Sequence, residues 1–130
     1  MTELVVRRLL IDLEKPFERH WCDGDPFRTA LFNALSMSFP VGEQFFIDAV
    51  RNAAKTLPPE QQAQFDAEVR GFVGQEATHR RIHGLFNAHL EKQGLVNHWA
   101  PHIQERMKLL DGTLPHHALA ITAANEHFTA

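Results

Sequence analysis

The feature that most constrains the fold is one long stretch, Pro59 to about Gln93, in which apolar residues recur at helical spacing. At 100° per residue, four of them share one narrow stripe: Phe65, Phe72, Phe86 and Leu90. A helix buries such a stripe against neighbouring helices, and Gly94 supplies its C-cap. Because strand-like alternation hardly occurs elsewhere, the sequence predicts an all-α fold, a helical bundle.

Prolines divide the remaining chain into shorter predicted helices. Asp25 and Pro26 have the residue types of an N-cap and a first helical position, and Pro40 is expected to end or kink the helix that they begin. Further helices are predicted at about 41–57, 101–110 and 115–130. Residues 1–23 are predicted to form an N-terminal arm, either as short strands at 4–6 and 9–11 or as a docking segment. Residues 24–130 are predicted to form the bundle domain.

Composition narrows the classes of protein to which the chain can belong. Its 130 residues carry a net charge of −3, which argues against a broad nucleic-acid-binding surface. No apolar run approaches the roughly 18 residues that span a bilayer, and the first residues lack the pattern of a secretory signal. The single cysteine, Cys22, cannot form an internal disulfide, so a cytoplasmic location is expected.

Polar side chains interrupt the apolar stripe of the long helix and indicate its chemistry. Glu76 and His79 form a Glu-x-x-His pair that points inward, and this pair is the ligand unit of di-iron and di-manganese helical bundles. A buried carboxylate is costly unless it is paired or binds a metal, so the pair predicts metal binding. His83 lies on the same stripe and is predicted either to orient a ligand or to be a further ligand.

Two other predicted helices each add one acidic residue to an apolar face. Glu43 shares its face with Phe39, Phe46, Ile47 and Val50, and Glu126 shares its face with Leu119, Thr122 and Thr129. With Glu76 and His79, these acids match three of the four ligand helices of a six-ligand carboxylate site; a second Glu-x-x-His is absent from the 130 residues. The oxygen-rich set predicts a divalent metal and favours iron, with manganese and zinc left open.

Several segments of the chain resemble the bacterial family described as predicted metal-dependent hydrolases. They are Arg19–Trp21, Phe32–Ser36, Phe39–Phe46, Phe72–His79 and Thr122–Ala130. The resemblance implies a ferritin-like bundle with a di-metal carboxylate site. Members of that family are longer and continue into a further helix with a Glu-x-x-His motif. The resemblance therefore implies that this chain corresponds to the N-terminal part of such a domain, without its last ligand helix.

Two hypotheses of function follow from these patterns. In the first, the protein is a metal-dependent enzyme acting on an unknown small molecule, either as a hydrolase or as an O₂-dependent oxidoreductase. Glu43, Glu76 and His79 would hold one metal, and Glu126 would contribute to a second. In the alternative, the chain is a non-catalytic dimerisation or structural module with an incomplete metal site. An apolar stripe left without its partner helix predicts a homodimer, which would complete the bundle.

Overall fold

Four α-helices make up most of residues 11–129, the part of the chain that the computed structural model describes. In chain order they are α1 (Pro26–Lys55), α2 (Pro59–Lys92), α3 (Trp99–Met107) and α4 (Pro115–Thr129), with a 3₁₀ turn at Lys108–Leu110. α1 contacts each of the other three helices and runs antiparallel to α2, to which a short connection joins it. Residues 11–129 contain no strand, so the predicted all-α bundle is confirmed.

The chain continues through Pro40 as one helix of 30 residues. Of the two alternatives expected at Pro40, the helix end is therefore wrong, and the kink stays a prediction. The predicted second helix is the C-terminal half of α1. Proline has no N–H, which leaves the carbonyl of Ser36, one turn earlier, without its usual helical partner. Asn87 of α2 supplies the missing donor, since its Nδ2 lies 3.0 Å from the Ser36 carbonyl oxygen. A side chain from the neighbouring helix thus satisfies the group that the proline leaves free.

The predicted helix ends at Asp25 and Gly94 are confirmed by their hydrogen bonds. The Asp25 carboxylate accepts from the backbone N–H groups of Phe27 and Arg28 and caps α1. Gly94 has a φ of +84° and closes α2 in a Schellman motif. In this motif its own N–H donates to the Glu91 carbonyl, and the N–H of Leu95 donates to the Leu90 carbonyl.

Residues 11–24 lie against α1 and α2 without forming a strand; the strand predicted at 4–6 lies outside the described residues, as do positions 9 and 10. Phe17 stacks on Phe86 with ring centroids 4.8 Å apart. The Trp21 indole N–H donates to Asn33, and His89 Nε2 donates to the Leu13 carbonyl. These contacts support the docking interpretation of the arm, while its limits and those of the bundle domain remain predictions.

The buried face of α1 is mostly polar in its first half, apart from Met37, and mostly apolar in its second half, apart from Glu43. Thr29, Asn33 and Ser36 are buried, as are Ile47 and Ala49 further along. On α2 the predicted stripe is fully buried at Leu90. Phe65 is 40% exposed, so the prediction that it packs in the core was wrong. Apolar side chains on the opposite face of α1 are exposed, among them Phe27, Leu31 and Leu35. The predicted homodimer would bury such a surface, and it remains a prediction.

Candidate metal centre

All five predicted site residues line one cavity of about 410 Å³, and three of them form a tight group within it. Glu43 comes from α1, while Glu76 and His79 come from adjacent turns of α2. One ligating atom from each side chain lies within 4.8 Å of the other two. The His79 Nδ1 is 3.3 Å from Glu76 Oε1. The two carboxyl groups are buried, whereas the His79 side chain is 47% exposed, so the cluster is accessible to solvent from the His79 side.

The helix pair explains why these side chains converge. Residues three apart on a helix lie on the same face, which places Glu76 beside His79. The antiparallel pairing of α1 and α2 then sets Glu43 opposite this pair. Phe39 and Phe46 lie about one turn on either side of Glu43 and line the same cavity. The carboxylates therefore sit between apolar walls, as the alternation of acids and phenylalanines in the sequence predicts.

Burial makes the negative charge of these carboxyl groups expensive. The pKa of Glu43 is raised to about 8, first by burial and then by the nearby charges of Glu76 and Glu126, against an opposing effect of Arg80. The pKa of Glu76 is raised first by burial and then by Glu126, while the charge and hydrogen bond of His79 act to lower it. A cation bound between the two carboxyl groups would stabilise both of them as anions.

One oxygen of the cluster has no hydrogen-bond partner among residues 11–129. It is Glu43 Oε2, which is buried. Buried polar atoms normally have a partner, and an exception of this kind points to a ligand or an ion. Two carboxylates and an imidazole are a donor set that divalent metals of the first transition row accept. The residues present therefore fit a divalent metal.

His83 extends the cluster along α2. Its Nε2 lies 3.8 Å from Glu43 Oε1, and its Nδ1 lies 2.9 Å from Ser36 Oγ. The ring packs against Phe39 with centroids 4.7 Å apart. Burial lowers the pKa of His83, and the neighbouring His79 lowers it further.

Glu126 reaches the same cavity from α4. Its side chain is half-buried, and its charge raises the pKa of both Glu43 and Glu76. One turn earlier, Thr122 is buried, so this face of α4 packs against the bundle. The Thr122 hydroxyl donates to the Ala118 carbonyl of the same helix. Glu126 is not a member of the tight group formed by Glu43, Glu76 and His79. Its predicted role as a ligand therefore remains a prediction.

Sequence analysis missed two residues beside the cluster: Ser36, which contacts His83, and Asn87, which contacts Ser36. Ser36 Oγ lies 2.9 Å from the His83 ring and also donates to Asn87 Oδ1 at 2.8 Å. Two features of the sequence indicate these residues. Asn87 lies one turn beyond His83 on the stripe of α2, and Pro40 leaves the carbonyl of residue 36 without its helical donor. Neither feature alone indicates that the two side chains pair.

An all-α fold in which two buried carboxyl groups and a histidine meet in one cavity is typical of proteins that hold a divalent metal inside a helical bundle. The family described as predicted metal-dependent hydrolase matches residues 5–130, and the chain belongs to this family. No curated protein and no solved structure matches the chain. None of the helices within residues 11–129 has an apolar stretch long enough to cross a membrane.

Proposed function

We propose that this protein is a metal-dependent hydrolase whose metal is held by Glu43, Glu76 and His79. The observation that carries the proposal is the convergence of three ligating atoms within 4.8 Å at the base of an open cavity. The unpartnered Glu43 Oε2 supports it. The oxygen-rich set favours iron, with manganese and zinc as alternatives. The family description supplies the reaction class.

The side chains of the cavity suit hydrolysis of a small molecule. A divalent metal supplies, when bound, a Lewis acid that polarises a carbonyl or phosphoryl group and lowers the pKa of a water molecule. Glu43 and Glu76 must be ionised to hold it, so Glu43 gives up its proton as the metal binds. Glu126 faces the cavity from α4, where its carboxylate can accept a proton from the attacking water. Phe39 and Phe46 provide apolar walls for the carbon skeleton of the substrate.

A second candidate function is O₂ chemistry at a two-metal site. It is favoured by one observation, the charge of Glu126 acting on both Glu43 and Glu76. Three carboxylates around one cavity, with His79 and His83, resemble the ligand set of ferritin-like di-iron bundles. In this candidate Glu126 is a ligand of the second metal. In the hydrolase it is a proton acceptor.

Activity assays on the same protein separate the two candidates. Tag-free protein is loaded with Fe(II), Mn(II) or Zn(II), and hydrolysis of p-nitrophenyl acetate and bis(p-nitrophenyl) phosphate is followed beside O₂ consumption. The hydrolase proposal predicts metal-dependent release of nitrophenol, a loss of about 10²-fold in kcat in Glu126→Gln, and no change in Glu91→Gln. Glu91 is an exposed carboxylate of the same helix α2 and serves as the control. Consumption of O₂ without hydrolysis would support the second candidate instead.

A further inference from the structure

Pro40 fixes the orientation of the Asn87 side-chain amide. The Ser36 carbonyl, freed by the proline, can only accept a hydrogen bond, so the amide atom 3.0 Å from it must be the donor Nδ2. The reverse orientation would place two oxygens against each other. Asn87 Oδ1 therefore faces the Ser36 hydroxyl at 2.8 Å and accepts from it.

The Ser36 hydroxyl in turn fixes the tautomer of His83. A serine hydroxyl has one hydrogen, and here Asn87 Oδ1 takes it. The 2.9 Å contact between Ser36 Oγ and His83 Nδ1 must then be a hydrogen bond in which Nδ1–H donates. Because Nδ1 carries the N–H of this hydrogen bond, Nε2 is the ring nitrogen of His83 that can offer a lone pair to a metal. That nitrogen is the one that faces Glu43 Oε1.

Two electron-pair donors thus face each other across the edge of the candidate metal centre. Nε2 of His83 and Oε1 of Glu43 are 3.8 Å apart, too far for a direct hydrogen bond. Metal bonds of about 2.0–2.2 Å from each atom can bridge this separation. Histidines that bind metals usually donate their other ring N–H to a fixed acceptor, and Ser36 Oγ is such an acceptor for His83.

We propose that His83 is a further metal ligand through Nε2, and that Ser36 and Asn87 are the positioning residues that hold its Nδ1–H tautomer. The inference rests on the proposed metal site and adds one ligand to it, on the Glu43 side of the cluster. Phe39 limits rotation of the His83 ring by packing against it. His83 and Asn87 thus lie on α2 and face Ser36 on α1, where Pro40 leaves the Ser36 carbonyl free to accept from Asn87.

Long-range ¹H–¹⁵N NMR of the histidine rings tests the proposal with Zn(II) as the probe. Spectra of His79→Gln and His83→Gln assign the two rings, and contacts to the Phe39 ring protons assign His83 if its variant does not fold. In the metal-free protein we expect His83 to carry its proton on Nδ1. On addition of Zn(II) we expect His83 Nε2 and one ring nitrogen of His79 to move to metal-bound shifts.

The outcomes separate this inference from the metal site itself. A Zn(II) shift at His79 without one at His83, or an Nε2–H tautomer of His83, would overturn the inference and leave the metal site standing. Zn(II) that shifts neither ring would overturn both. Zn(II) affinity gives a second measure: Ser36→Ala should weaken binding by about 10–100-fold. Ser38→Ala is the matched control, because the Ser38 hydroxyl bonds the Leu35 carbonyl; equal affinities of the two variants would contradict a positioning role.

Discussion

The carboxyl group of Glu43 lies in surroundings that disfavour its charged form. It is 5% exposed, faces Glu76 and Glu126, and has a pKa raised to about 8 mainly by burial. Without a cation the group therefore keeps its proton near neutral pH. Metal binding must remove that proton, so the stability of the metal-free protein and the affinity for metal depend on pH in opposite directions.

Replacement of Glu43 by glutamine should remove a pH dependence of stability from the metal-free protein. A group whose folded pKa is raised stabilises the fold fully below its unfolded value, here about 4.5, and this contribution disappears as the pH rises through about 8. The free energy of unfolding of the wild type should therefore fall from pH 5 to pH 8 more steeply than that of Glu43→Gln. Urea denaturation in the presence of EDTA measures both curves.

The control for this comparison is Glu91→Gln, which removes an exposed carboxylate of α2. Its curve should run parallel to that of the wild type. Glu76 has a pKa raised in the same direction, so some slope should remain in Glu43→Gln. Parallel curves for wild type and Glu43→Gln would show that Glu43 is not protonated by burial, and would contradict the electrostatic description of the cluster.

At the scale of the helices, α1 and α2 are joined by polar contacts as well as apolar ones. Asn87 is 8% exposed and replaces, from α2, the donor that Pro40 removes from α1. The same amide accepts from Ser36. The continuity of α1 through a proline is thus linked to a side chain on the neighbouring helix, close to the candidate metal centre.

A double-mutant cycle at Pro40 and Asn87 tests this link. Asn87→Leu should lower the free energy of unfolding by about 1–3 kcal/mol, because it leaves the buried Ser36 carbonyl without a donor and removes the acceptor of the Ser36 hydroxyl. Pro40→Ala restores a backbone N–H one turn after Ser36, so its effect should be more favourable in the Asn87→Leu protein than in the wild type. Asn52→Leu, at an exposed site of α1, is the control for the leucine substitution. Additive effects at positions 40 and 87 would contradict the link.

The sequence predicted the helix ends better than it predicted helix continuity. Asp25 and Gly94 act through hydrogen bonds to residues next to them, so local sequence carries the signal. Pro40 has its local effect too, but the donor that compensates for it is distant in sequence, and no local pattern shows it. Apolar spacing likewise predicted the helix at Phe27 and Leu31 without showing that these side chains are exposed.

For the whole molecule, the centre of the candidate site could be predicted and its surroundings could not. Glu43, Glu76 and His79 interrupt apolar faces, and burying those faces against each other brings the three together. The distance of Glu126 from them depends on how α4 packs on α1, which no spacing within α4 determines. The tautomer of His83 depends on Ser36 and Asn87, contributed by two helices.

The central claim is that the fold holds a metal at Glu43, Glu76 and His79, and its most direct test is the metal content of the protein. Tag-free protein is loaded anaerobically with Fe(II) or Mn(II), desalted and analysed by plasma mass spectrometry, beside Glu76→Ala and the control Glu91→Ala. We predict about one metal per chain, lost in Glu76→Ala and kept in Glu91→Ala; two per chain would indicate the two-metal candidate. A wild-type protein that is folded by circular dichroism yet retains no metal would contradict the claim and leave a structural helical module.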